Sequence, residues 1–298
     1  STLRSVLDQT YSDFELIVVD DGSTDGTYLA AQKSISGDER FALITIPHNG
    51  PQKAKAEGLS RAYGEYVLFA DGDDTLHPDC LRRCFETVCD CDLLIFGINY
   101  QEFSDGVLIS EHKAELVETE FASGAELADW YIANHKLLLY SNANKFYKTE
   151  LLKRWNIRFR DELSFGEDRL FNFDYLRVSG RIKTLPDALY NYRKINRSSL
   201  TSVFRPHHID ELIYLHTAKI DCMTGLSTLR SSGEKEAFKR YDIRKTVCDA
   251  FRHIAEHADE LSDSKIKSEI SYLSSCELPE YFYSDKGQVR ENLIDYIN

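Results

Sequence analysis

The chain has 298 residues, 42% hydrophobic and 29% charged, and its 36 Lys and Arg against 49 Asp and Glu leave a formal net charge of −13. That balance excludes a general nucleic-acid binder, which needs a basic face to neutralise phosphates. No apolar run approaches the ~18 residues of a membrane span and no signal-peptide pattern opens the sequence, so the expectation is a cytoplasmic protein that touches a membrane, if at all, at the surface of its inner face.

Leu3, Val6 and Leu7 suggest a helix at the very start, with no strand ahead of it. Short apolar runs at Phe14–Val19, Phe41–Ile46, Glu65–Ala70 and Asp92–Ile98 then read as strands. Between them lie helical segments at about Thr27–Ile35, Gln52–Tyr63 and Pro78–Val88, the last with proline in its first turn. Such alternation predicts a mainly parallel sheet with helices on its faces, and in such sheets ligands sit beyond the carboxyl ends of the strands. Two acidic clusters, Asp20-Asp21-Gly-Ser-Thr-Asp25 and Asp71-Gly-Asp73-Asp74, fall at carboxyl ends and are placed to face one crevice. Of seven cysteines, Cys80 and Cys84 sit i,i+4 and are read as sharing a packed helix face, because no repeated C-x-x-C with zinc spacing occurs. Free thiols are the expectation.

Further along, Ser104-Asp105-Gly106 reads as a turn between short strands, and Ser123-Gly-Ala-Glu126 has capping-box spacing. A helix follows Thr149, another is opened by Ser164-Phe-Gly-Glu167, and strands are expected at Arg181–Leu185 and Ala188–Arg193. From about Pro206 the pattern is helical throughout, which divides the chain into an α/β domain at 1–205 and a helical extension at 206–298.

Three motifs carry chemistry. Asp21, Ser23, Asp25 and Gly26 imitate the start of a calcium loop, but Gln32 stands where a bidentate Glu is needed. A turn rich in Asp, Gly and Ser is also what an ordinary strand-to-helix connection uses. Asp71-Gly-Asp73-Asp-Thr75 satisfies D-x-D-x-T, the opening motif of haloacid-dehalogenase-like phosphatases, while carboxylates at i,i+2 equally suit Mg²⁺ or Mn²⁺ shared with substrate phosphates. Glu167 and Asp168 complement a helix start, yet a carboxylate there that faces a crevice also suits a general base. The residues alone leave these alternatives open.

Taken together, Asp8-Gln-Thr-Tyr-Ser-Asp-Phe-Glu-Leu-Ile-Val-Val-Asp-Asp-Gly-Ser-Thr-Asp-Gly26, Gly64-Glu-Tyr-Val-Leu-Phe-Ala-Asp-Gly-Asp-Asp74 and Gly166-Glu-Asp168 strongly resemble the family 2 glycosyltransferases with the GT-A fold. Asn144-Lys-Phe-Tyr-Lys148 and Tyr190-Asn-Tyr-Arg193 with Ser198–Thr201 look like that family's bacterial surface-polysaccharide enzymes. The resemblance implies a Rossmann-like α/β fold and inverting transfer of a sugar from a nucleotide-sugar, most simply a UDP-sugar, to a hydroxyl of a glycan or lipid-linked glycan. It implies that Asp21 binds the base, Lys55 contacts the donor, Asp71 reaches the ribose, Asp73 holds Mn²⁺ or Mg²⁺, and Asp168 is the general base.

The sequence departs from the family pattern in places. Relatives begin with a strand ending in Pro-x-Tyr/Phe-Asn, which is absent here; Lys55 stands where many carry Arg, Ala56 where many carry Asn, and Ile195 where some carry a metal-binding His. Against the transferase stand two other readings, the phosphatase and a non-catalytic nucleotide-sugar-binding module. The helical extension, acidic and without a basic amphipathic face, is expected to pack or to self-associate as a homodimer.

Overall fold

The computed structural model describes residues 2–135, 138–160, 163, 165–195, 208–229 and 232–275. The chain forms two compact units, residues 1–127 with 136–199, and residues 128–135 with 200–298.

The first unit is α/β. It opens with α1 (Thr2–Leu7), β1 (Leu16–Asp20), α2 (Thr27–Ile35), β2 (Phe41–Thr45), α3 (Pro51–Arg61), β3 (Tyr66–Val67), β4 (Thr75–Leu76) and α4 (Cys80–Thr87). All but β4, which the sequence reading did not contain, lie within a few residues of their predicted positions, because apolar alternation and turn residues bound them. There follow β5 (Leu93–Ser104), β6 (Val107–Ala114), β7 (Thr119–Phe121), α5 (Gly124–Asn134), which from residue 128 belongs to the second unit, β8 (Lys145–Lys148), α6 (Thr149–Arg154), α7 (Glu167–Leu176) and β9 (Ile182–Lys194).

β1 and β2 pair in parallel as one sheet, and a second sheet has the order β3-β8-β5-β9-β4, with β6 on β5 and β7 on β9. β5 and β9 are parallel, whereas the β3–β8, β8–β5, β4–β9, β5–β6 and β7–β9 pairs are antiparallel, so the sheet is mixed. The two strands expected at 181–193 are one strand, whose register against β5 shifts on both sides of Gly97, the partner of Ala188, leaving Pro186 and Asp187 unpaired before it. A Cβ on Gly97 would lie 2.9 Å from Ala114 O and 3.0 Å from Pro186 O, which is why glycine stands at the bulge. The run Glu65–Ala70 pairs only over Tyr66–Val67. Asp105 (φ 49°) and Gly106 (φ 78°) form the β5–β6 turn in the left-handed region that primed hairpin turns require.

One sheet face packs Leu76, Cys80, Cys84, Leu94, Phe96 and Tyr190 into the core, and both cysteines of α4 are fully buried, as their spacing predicts. A second, aromatic cluster joins Phe69, Tyr147, Phe159, Phe171 and Tyr175. Phe69 precedes Asp71 by two residues and Phe171 follows Asp168 by three, so this cluster ties a strand end to a helix start.

The second unit contains α8 (His208–Leu226), α9 (Ser232–Glu256), a 3-10 turn (Ala258–Glu260) and α10 (Asp263–Ser275). Among the described residues no helix is long and apolar enough to cross a membrane.

Candidate active site

The first acidic loop follows β1. Asp21 accepts hydrogen bonds from the backbone N–H of Asn49 at Oδ1 and of Gly50 at Oδ2, both 2.9 Å, so it gathers the turn that enters α3. The His48 ring lies 2.9 Å from Asp21 Oδ2 and 3.0 Å from its backbone carbonyl. Gly22, at φ 69°, makes this close approach feasible, since a Cβ there would lie 2.9 Å from His48 N. Asp25 serves α2 instead, accepting from the N–H and hydroxyl of Thr27.

The second acidic loop, between β3 and β4, uses its three aspartates differently. Asp74 is 1% exposed and accepts from Tyr190 Oη at 2.6 Å and Arg193 N at 2.7 Å, which pins the loop to β9. Burial is the main cause that pushes its carboxyl up to about 7, with Asp73 and Asp71 adding to it against the two hydrogen bonds. The Asp71 backbone N–H donates to the same Tyr190 oxygen, and Thr2 of α1 donates to Gly72 O. Asp73 is exposed; its backbone carbonyl accepts from Arg193 Nη1, and its carboxylate has no partner among the described residues.

Lys55 joins this loop to α7. Its Nζ lies 3.3 Å from Asp71 Oδ1 and 3.2 Å from Asp168 Oδ1, with its side chain only 13% exposed. Burial pulls the ammonium down, but Asp168, Asp71 and Glu167 together outweigh it and hold it above the usual lysine range. Burial pushes Asp168 above the ordinary carboxylate range; Asp71 adds to the rise, and Lys55 and the backbone N–H of Asn142 oppose it. Glu167 is raised for the same first reason, with Asp168 next. Helix α7 starts at Glu167, with Gly166 as its left-handed N-cap (φ 79°); Ser164, the other half of the expected capping box, lies outside the described residues.

Of the five residues singled out from sequence, three meet here: Lys55, Asp71 and Asp168. Asp21 is bound to the turn before α3, and Asp73 stands free on the loop that carries Asp71. The sequence reading missed the roles of Asp74, Tyr190, Asn142 and the fully buried Lys145. Only Asp74 carried a signal, as the third member of a cluster too dense for one function. Ser198–Thr201 lies outside the described residues.

Among the described residues no group of three His, Cys, Asp or Glu side chains converges to enclose a metal by itself. A single open carboxylate does fit an ion that completes its shell with substrate oxygens. Asp73 has that character.

The Glycosyl transferase family 2 profile matches residues 1–155, more than half of the sequence. The chain belongs to this family. Among similar proteins, the uncharacterized glycosyltransferase EpsJ of Bacillus subtilis is 30% identical over 229 residues, covering 73% of this chain and 63% of that protein. The succinoglycan biosynthesis protein ExoO of Rhizobium meliloti is 29% identical over 222 residues, or 71% of this chain and 61% of its own. The chain thus spans somewhat less than two thirds of either relative. In structure it is similar to Staphylococcus aureus TarS residues 1–349 in complex with UDP-GlcNAc, with TM-score 0.65, 23% identity, 92% of this chain and 75% of that one covered. That likeness confirms the α/β GT-A fold. Family membership also removes the phosphatase reading of Asp71-Gly-Asp73-Asp-Thr75, in agreement with two strands, β1 and β2, preceding the motif.

Proposed function

We propose that the chain is the catalytic part of an inverting glycosyltransferase that moves a sugar from a UDP-sugar to a hydroxyl of a glycan or lipid-linked glycan. The observation that carries this reading is Lys55 held between Asp71, at a strand's carboxyl end, and Asp168, at a helix start. One carboxylate then faces a donor while the other faces an acceptor.

The roles follow from the chemistry. Asp168, buried and lifted above the ordinary carboxylate range, is a stronger base than a solvated aspartate and takes the proton from the attacking hydroxyl. Lys55 favours the ionised form of Asp168 and holds Asp168 and Asp71 at short range, aligned with one another. Asp71 reaches the ribose, and Asp21, besides ordering the 48–50 turn, uses its remaining lone pairs toward the base. Asp73, with diphosphate oxygens of the donor, would hold Mn²⁺ or Mg²⁺, which neutralises charge on the departing nucleoside diphosphate. A single displacement inverts the anomeric carbon.

The relatives support the substrate class. TarS is described as a poly(ribitol-phosphate) beta-N-acetylglucosaminyltransferase, and its structure holds UDP-GlcNAc. We place the reaction in the cytoplasm or at the inner membrane face, where nucleotide-sugars are available, and assign residues 206–298 to packing or homodimer formation.

The test is calorimetric binding of UDP-GlcNAc, UDP-glucose, GDP-mannose and dTDP-glucose with and without Mn²⁺, together with UDP release. Binding confined to a UDP-sugar, strengthened by Mn²⁺ and followed by UDP release that Asp168→Asn abolishes, is the expected result. Binding with no turnover under any condition would favour the non-catalytic module.

A further inference from the structure

Behind Asp168 lies a polar network that the proposed mechanism does not use. Strand β8 points Lys145 and Tyr147 inward, and both are essentially unexposed. The Lys145 ammonium donates to Leu138 O at 2.7 Å, to Asn144 Oδ1 at 2.9 Å and to Ser141 O. Three donors thus meet three acceptors, the full capacity of a lysine. Asn144 is itself anchored through Nδ2 to Phe96 O of β5 at 2.7 Å.

The same stretch is held from the other side. Asn172 lies one helical turn after Asp168 on the same face of α7, and its Nδ2 donates to Leu139 O at 2.7 Å and Ser141 O at 3.0 Å. Tyr147 Oη donates to Asn172 Oδ1. Between these two clamps stands Asn142. The Asn142 side chain is 0% exposed, and neither of its polar atoms has a partner among the described residues. Burying an unpaired amide is unfavourable, so residues 138–144 do not hold this conformation on their own account; the bonds from Lys145 and Asn172 impose it.

We infer that Lys145 is a positioning residue for Asp168: by gathering Leu138, Ser141 and Asn144 around its ammonium it sets the 138–144 loop, and that loop, through the bonds of Asn172 to Leu139 O and Ser141 O, seats the start of α7 and with it the carboxylate that receives the acceptor's proton. The inference rests on the glycosyltransferase reading for the role of Asp168. Electrostatics agree with the geometry. Burial pushes the Lys145 ammonium down to about 7 and Asp168 is the charge that opposes this, so the two groups feel each other. The other titratable groups that act on or respond to Asp168 are Lys55, Asp71, Glu167 and Tyr147.

Two variants test this, Lys145→Met, which keeps the stem and removes the three bonds, and Asn172→Ala, which releases the loop from α7 and leaves the lysine in place. The readouts are UDP release from UDP-GlcNAc, the donor KM and the pH midpoint of the acid limb. Misplacing a catalytic group by about 1 Å can cost about 100-fold, and Lys145→Met is expected to lose kcat on that order with donor KM unchanged within about twofold. Its acid limb moves to higher pH, because a cation that favours ionised Asp168 is gone. Asn172→Ala shows a smaller loss of the same kind.

If both variants keep kcat within about twofold, or lose donor binding and kcat together, the positioning role is wrong. Should Lys145→Met fail to fold, Asn172→Ala decides by the same criteria. A wild-type chain that releases no UDP, or an Asp168→Asn variant that releases it at the wild-type rate, would instead overturn the transferase reading. In that event ¹³C-carboxyl NMR titration of Asp168 in the wild type and Asn172→Ala still reads the coupling, and an identical midpoint would refute it.

Discussion

Two lysines of this protein meet aspartates under opposite conditions. In the α/β unit Lys55 stands among Asp71, Asp168 and Glu167, one cation for three acids, with Asp71 41% exposed. In the helical unit Lys219 and His216 share a single carboxylate, Asp242, which is 3% exposed and also lies below Thr246, hydrogen-bonded to His216. Burial alone would raise both aspartates. For Asp242 the His216 hydrogen bond and the Lys219 charge outweigh it and leave the carboxyl below the usual range, whereas Asp168 remains above its usual range. The first cluster is short of cations and partly exposed, and so suits proton transfer; the second is closed and sets two basic side chains on one acid, and so suits holding helices α8 and α9 together.

The contrast can be broken from either side. Asp168→Asn should lower UDP release by about 10³-fold, the scale of a lost general base, while calorimetry finds UDP-GlcNAc binding retained; activity near wild type would reduce Asp168 to a helix-start acid. Asp242→Ala strands a buried lysine and should cost about 3–5 kcal/mol in urea unfolding. A loss of only a few tenths would mean that Asp242 is already solvated. The third expectation concerns the loop itself. Asp74→Ala leaves Tyr190 Oη and the Arg193 N–H without their acceptor, at about 1–3 kcal/mol for each desolvated group, and should weaken donor binding by loosening the loop that carries Asp71 and Asp73. Unfolding and calorimetry on the same sample separate the two effects.

Lys55→Met is the mildest change and the one that sharpens the comparison. Removing the cation leaves Asp71, Asp168 and Glu167 facing one another, so Asp168 should rise further. Because the base acts ionised, the acid limb of the pH–rate profile then shifts upward by about one unit, or about 1.4 kcal/mol. An unmoved limb would show that Lys55 is screened from Asp168 by solvent.

Much of the framework was legible in the residues. Thr27–Ile35 is helical over its predicted span, and Phe41–Thr45 lies within its predicted strand, since amphipathic period and bounding glycines are local properties. The Ser123–Glu126 capping box forms as its spacing predicts, with Ser123 Oγ accepting from Glu126 N and Glu126 accepting from Ala122 N. Other outcomes depended on distant partners. Pairing limits the run at 65–70 to Tyr66–Val67, because Lys148 and Tyr147 of β8 are the neighbours it finds. Gly166 rather than a hydroxyl residue caps α7, a choice that depends on backbone torsion.

By itself the sequence determined most of the strand–helix alternation of the first hundred residues, the carboxyl-end position of both acidic loops and the family they belong to, because periodicity, turn chemistry and motif order are written along the chain. Only the tertiary structure decided what each acid does. Three aspartates within four positions look equivalent in sequence, yet Tyr190 and Arg193 bury Asp74, Lys55 engages Asp71, and Asp73 is left open. The partners of Asp74 lie 116 and 119 residues away. A carboxylate's role is set by burial and by the charges around it, and those are brought by the fold from parts of the chain that no local pattern connects.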